Sequence, residues 1–148
     1  MKGFSAAEVI LTLALLGILA VAAFYLLPSV GDVSLDAAAV QVRNDIEYAQ
    51  QNAMTTGQTS GVAFTNNGSY TVYQGTTSTP LSSPLTRSNM VITLSSSYPG
   101  VAISGNYTVE FDSMGKPTIG GAGSVNLVLG GHTKTITVTA NTGRVTLQ

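Results

Sequence analysis

The 148-residue chain has no cysteine, no tryptophan and a single histidine. The missing cysteine excludes disulfides, thiolate metal sites and a cysteine nucleophile. His132 alone, with seven scattered acids, leaves a metal site without enough ligands, so neither a metal nor a cofactor is expected. No serine sits in a nucleophile-elbow pattern, and the chain does not read as an enzyme. His132, beside Gly130-Gly131, reads as an exposed turn residue. Charge is also scarce. Charged residues make up 9% of the chain, against about 25% in ordinary domains, and the net charge is -1. DNA binding needs several Lys or Arg to neutralise phosphates. Six basic residues spread along the chain give no such excess, which argues against nucleic acid as a partner.

What the chain does have is one long apolar run. No charged side chain occurs from Val9 to Val30, and Val9–Leu27 is aliphatic apart from Thr12, Gly17, Phe24 and Tyr25. A helix of about 20 such residues spans a bilayer core. Lys2 precedes the run, which places that end in the cytoplasm and everything after Val30 outside it. A cleaved secretory signal would need a shorter apolar core and a small-residue cut site. Tyr25-Leu26-Leu27-Pro28-Ser29-Val30 is a poor one, so the segment is expected to stay with the protein. Glu8 stands at the edge of this run. A carboxylate at mid-bilayer costs about 2.5–3.5 kcal/mol on insertion scales and calls for a partner.

Pro28 and Gly31 predict a kink near residues 28–31. Beyond it, Leu35, Ala39, Val42, Ile46, Ala49 and Ala53 recur every three or four residues and predict a second, amphipathic helical stretch. Asp32, Ser34 and Asp36 read as caps and favourable charge at its start, and Gly57 as its stop. Arg43, Asp45 and Glu47 fall off the stripe. After Gly57 the period becomes two. Thr59–Phe64 and Tyr70–Tyr73 flank the hairpin signal Asn66-Asn67-Gly68. Further strands are expected at Val91–Leu94, Val101–Ser104, Tyr107–Phe111, Val125–Leu129, Thr135–Thr139 and Arg144–Leu147, with a turn over Ser113–Pro117. Glu110 and Asp112 read as a surface carboxylate pair, and Tyr70, Tyr73, Tyr98 and Tyr107 as sheet residues. The fold class is therefore α+β: a long N-terminal helix over residues 4–57, its first half membrane-spanning, and an antiparallel β domain over 58–148 packed on the amphipathic half.

The order Gly3-Phe4-Ser5-Ala6-Ala7-Glu8, followed by a long apolar helix containing Gly17, resembles the N-terminus of type IV pilins and the related pseudopilins. The resemblance implies a leader of residues 1–3, cut between Gly3 and Phe4 by a prepilin peptidase that also methylates Phe4. It makes Phe4 and Glu8 the assembly residues. Glu8 would meet the N-terminal amine of a docking subunit and set its axial register, since a buried charge left unpaired is penalised. Val9, Leu13, Leu16, Gly17, Ala20, Phe24 and Pro28 would line the helix core, with Pro28 three residues later than the family's usual helix proline. The implied partners are membrane lipid before assembly, an inner-membrane assembly platform, and other copies of the chain or other pilins in a filament. The implied location is the inner membrane, with the β domain outside the cytoplasm, then a cell-surface or periplasmic filament.

A second resemblance narrows this. The stretch Arg43 to Gly57, the turn Phe111-Asp112-Ser113-Met114-Gly115, and the ending Thr142-Gly143-Arg144 are similar to GspH/FimT-type pseudopilins. That implies a structural filament subunit. Alternatives remain: a minor tip subunit that primes assembly or contacts cargo or DNA, and a membrane-anchored binding module that never polymerises. Some relatives bind DNA through basic residues near the C-terminus. The candidates here are Lys134 and Arg144, isolated from each other in sequence.

Overall fold

A computed structural model describes residues 5–26, 30–66 and 68–148. Helix α1 spans Ala6–Leu26 and helix α2 spans Val30–Thr56. Pro28 lies outside the described residues, and Gly31, expected to break the pattern, is helical within α2. Helix α2 ends on Gly57, whose φ of 70° and N–H bond to the Ala53 carbonyl at 3.0 Å make the expected left-handed stop. The apolar stripe is buried throughout: Leu35, Ala39, Val42, Ile46, Ala49 and Ala53, together with Ala38, are all in the core.

The strands form two antiparallel sheets. The first has the order β3-β2-β1-β5-β6, from β1 (Ser60–Thr65), β2 (Ser69–Gln74), β3 (Val91–Thr93), β5 (Tyr107–Phe111) and β6 (Pro117–Ile119). The second has the order β4-β7-β8-β9, from β4 (Ala102–Ser104), β7 (Ser124–Leu129), β8 (His132–Val138) and β9 (Val145–Leu147). Helix α2 packs against β1, β2 and β5 of the first sheet and β7, β8 and β9 of the second, so its stripe is the shared core of both. In each sheet alternate residues point at that stripe: Val62 and Phe64, Val109 and Phe111, Val125 and Leu127, Ile136 and Val138 are buried.

Across the first sheet, Phe64 is opposite both Tyr70 and Tyr107, with ring centroids 5.3 and 6.0 Å away. Such cross-strand aromatic pairs hold the register. The hairpin β1–β2 pairs Thr65 with Ser69 around the Asn66–Gly68 signal. Three details depart from expectation. Strand β6 begins inside the predicted turn; it is a short edge strand, the one place where Pro117 costs no ladder bond. Leu94 does not extend β3 but starts a short helix α3 (Leu94–Ser97), its N–H bonded to the Gly68 carbonyl at 2.7 Å. His132 is not a turn residue but opens β8.

Candidate functional site

Helix α1 begins just after Ser5, whose carbonyl accepts from the N–H groups of Glu8 (3.0 Å) and Val9 (3.2 Å). Glu8 is therefore the acid of the first turn, where the helix dipole favours negative charge. The 18-residue window Ala6–Ala23 has a mean hydropathy of 2.4 and none of it is buried. Val9, Leu13, Leu16 and Ala20 follow spacings of four, three and four, so they share one face of α1, and all are exposed. Adding a Cβ at Gly17 would meet nothing within 4 Å. Gly3, Phe4, Pro28 and the side chain of Phe24 lie outside the described residues.

The two C-terminal motifs are brought together by a residue the sequence did not single out for a role. Gln50 of α2 donates through Nε2 to the Gly115 carbonyl at 2.7 Å and to the Thr142 carbonyl at 3.3 Å. One turn belongs to the first sheet and the other to the second, so a single amide ties both sheets to the helix. Asp112 builds its own turn: its Oδ1 accepts from the N–H groups of Met114 and Lys116, each at 2.9 Å. Asp112 is thus a turn cap and not half of a carboxylate pair with Glu110. At Gly143, φ is 66°, and a Cβ would run into Gln50 Nε2, the Gly115 carbonyl (2.5 Å) and Phe111 Cε1 (3.0 Å). The glycines of both motifs are the space in which the junction closes.

The charged residues off the stripe resolve into separate pairs. Arg43 Nε lies 3.2 Å from Glu47 Oε1 without an aligned hydrogen bond, so the contact is electrostatic and weak. Lys134 Nζ sits 2.8 Å from Asp36 Oδ1, and His132 Nδ1 is 3.4 Å from Asp32 Oδ1. Asp32, in the first turn of α2, supplies the expected favourable charge at the helix start, and both it and Asp36 also face β8. The structure does not bring Lys134 and Arg144 together. The Arg144 carbonyl accepts from Thr139, five positions and roughly 17 Å along the strand from Lys134. Arg144 is exposed and makes no ion pair among the described residues.

Asp45, which falls off the apolar stripe, is half-buried against the first sheet. Tyr70 donates to its Oδ2 at 2.6 Å, Gln41 donates to the Tyr70 hydroxyl at 3.3 Å, and Tyr98 donates to Gln41 Oε1 at 2.9 Å. Burial pushes the Asp45 carboxyl above its ordinary range, and the bonds from Tyr70 and Gln41 pull it back in part. The Tyr70 hydroxyl is raised by burial and by the carboxylate beside it. Tyr73 reaches Glu110 at 3.1 Å across Gly61, where a Cβ would strike the ring. Tyr107 donates to the Gly120 carbonyl at 2.6 Å, and burial pushes it up to about 12. Tyr70, Tyr73 and Tyr107 are sheet residues as expected; Tyr98 instead follows α3. Hydrophobic patterning locates these rings but carries no signal for their hydroxyl partners.

Two solved structures share the fold. The Pseudomonas aeruginosa (strain PAO1) type IV minor pilin FimU, crystallised in space group P21, has a TM-score of 0.57 at 12% identity, covering 82% of this chain and 92% of FimU. Its P65 crystal form gives 0.53 at 13% identity, over 76% and 91%. At such identities the likeness is one of fold. No curated protein sequence matches the chain. The model of the family described as type II transport protein GspH matches residues 38–143, from the amphipathic helix through the glycine of the last turn, so this chain belongs to the GspH family.

Proposed function

We propose that this chain is a structural subunit, a pilin or pseudopilin, of a type IV-family filament. The observation that carries the reading is α1: an apolar helix with Ala6–Ala23 wholly uncovered by the rest of the chain. Such a surface needs lipid or other apolar helices around it. In this reading a prepilin peptidase cuts between Gly3 and Phe4 and methylates Phe4. The chain then sits in the inner membrane, with its β domain outside the cytoplasm. An assembly platform moves it into a cell-surface or periplasmic filament. There Val9, Leu13, Leu16, Ala20 and Phe24 pack against neighbouring helices, and Glu8 pairs with a neighbour's Phe4 amine.

Gly17 supports this. A glycine inside a helix costs about 1 kcal/mol relative to alanine. Among the described residues nothing lies within 4 Å of where its Cβ would be, so the missing side chain serves contact with another helix, where small residues let backbones come close. The second reading is a low-copy tip subunit, and the fold shared with the minor pilin FimU favours it. Copy number beside an abundant pilin separates the two.

The test is the N-terminal mass of protein taken from native membranes or sheared filaments. A peptide starting at N-methylated Phe4 is expected. One starting at Met1 would remove the partner amine of Glu8 and leave a non-polymerising anchor.

A further inference from the structure

Helix α2 and the segment leading into β3 enclose an open cleft of about 250 Å³. Gln41 and Asp45 line it from the helix; Ser83, Thr86, Ser88 and Asn89 line it from the loop. The loop orders itself. Ser83 Oγ accepts from the N–H groups of Leu85 (3.3 Å) and Thr86 (3.4 Å), and the Thr86 and Ser88 hydroxyls are 2.7 Å apart. The cleft is therefore a fixed wall of hydroxyls and amides facing one carboxylate.

The hydrogen bonds around that carboxylate favour its charged form. From Tyr98 through Gln41 and Tyr70, every proton in the hydrogen-bond chain points towards Asp45. A directed chain of donors stabilises an anion at its end. Burial opposes the charge, and among the described residues no lysine or arginine pairs with Asp45; Arg43, on the same helix, lies against Glu47 instead. A partly buried carboxylate on an open cleft, with donors but no cation, is a site short of one positive charge. The wall offers acceptors suited to N–H groups, and no cation lines the cleft to hold an anion. Its volume equals about eight waters' share of liquid, room for an alkylammonium or guanidinium head and its stem.

We propose that this cleft binds a primary ammonium or guanidinium group, seated on Asp45 and hydrogen-bonded by the hydroxyls of Ser83, Thr86 and Ser88. The group is a donor-only cation, so every contact it makes is with an acceptor. Both a free amine and a lysine or arginine side chain of a protein carry this chemistry.

The test is an amide NMR titration of the full chain in nonionic micelles. The probes are butylammonium, methylguanidinium and the peptide acetyl-Gly-Arg-Gly-amide. The neutral controls are methylurea and the citrulline peptide. Saturable shifts confined to residues 83–92 and the Gln41–Asp45 turn are expected, with the neutral isosteres at least about tenfold weaker. Asp45→Asn should weaken the cations by a similar factor. Ser88→Phe, at an exposed loop position away from the Asp45 network, should block them with the fold intact. Response to small cations and peptide alike supports the chemical class; response to the peptide alone assigns the cation to a protein side chain. Equal binding of the neutral isosteres, cation binding that survives both substitutions, or no saturable shift in the cleft overturns the proposal.

Discussion

Replacing Gly143 with alanine tests whether the Gln50 junction is a tightly closed contact. Two costs are separable. The first is conformational: φ is 66° at Gly143, and an L-residue in the left-handed region costs about 1–2 kcal/mol. The second is steric. The new Cβ would meet Gln50 Nε2, the Gly115 carbonyl and buried Phe111 at once. Two of these are a backbone group and a core ring, which cannot swing aside, so overpacking adds about 1–3 kcal/mol. Gly57→Ala is the internal control. Its φ is 70°, nearly the same, but nothing lies within 4 Å of its Cβ position. It carries the first cost alone. At about 4 °C per kcal/mol for a domain of this size, Gly57→Ala should lower Tm by about 4–8 °C and Gly143→Ala by about 8–20 °C. Thermal unfolding of the full chain in detergent, followed by near-ultraviolet circular dichroism of the tyrosines, reads both. Equal losses in the two variants would mean that the turns around Gln50 have slack, and the account of the motif glycines would be wrong.

Three further substitutions probe other contacts. Gly61→Ala should cost about 2–4 kcal/mol, because its Cβ would hit the Tyr73 ring (hydroxyl 2.8 Å away) and break the bond to Glu110; urea unfolding measures it, and a loss below about 1 kcal/mol would contradict the close approach. Asp45→Asn should flatten part of the pH dependence. Burial raises the Asp45 carboxyl above 3.8, so the folded state binds that proton more tightly than the unfolded state. Its contribution is full below 3.8 and is lost as pH rises through the folded value; urea midpoints at about pH 4 and about pH 7 should therefore favour the variant more at the higher pH, and parallel profiles would refute it. Glu8→Ala should abolish filament recovery in a shearing assay while leaving membrane insertion unchanged; normal filament yield would dismiss Glu8 as the register residue.

The extent to which the sequence was legible follows the kind of physics involved. Burial periodicity is local and repeats, so the stripe from Leu35 to Ala53 and the alternation in β1, β5, β7 and β8 could be read directly. Strand β6 is three residues long and begins at a proline, so neither length nor propensity marks it. Asp32 was legible as charge at the start of α2, but the partners of Asp32 and Asp36 on β8 lie about a hundred residues away, and nothing in a linear pattern predicts such a pair. Gln41, Asp45 and Gln50 were hidden for the same reason. Each sits one position off the apolar stripe, where a polar side chain normally faces water, and each is instead drawn in by a hydroxyl or carbonyl from a strand or a turn of the β domain.

These off-stripe residues also set the packing of α2 apart from that of α1. Among the described residues Ala6–Ala23 has no buried position, so in the proposed filament α1 would exchange lipid for neighbouring helices on its apolar faces while Glu8 gains an amine partner. Helix α2 is held differently. Its apolar stripe supplies the non-directional part of the packing, which sets the buried face but alone would tolerate small shifts in height and angle. The bonds of Gln50 to two turns, Asp45 to Tyr70, and Asn52 to the buried Ser60 at 2.8 Å do not tolerate that slip, because each would leave a half-buried polar group unpaired. The β domain is thus locked in rotation and height on α2.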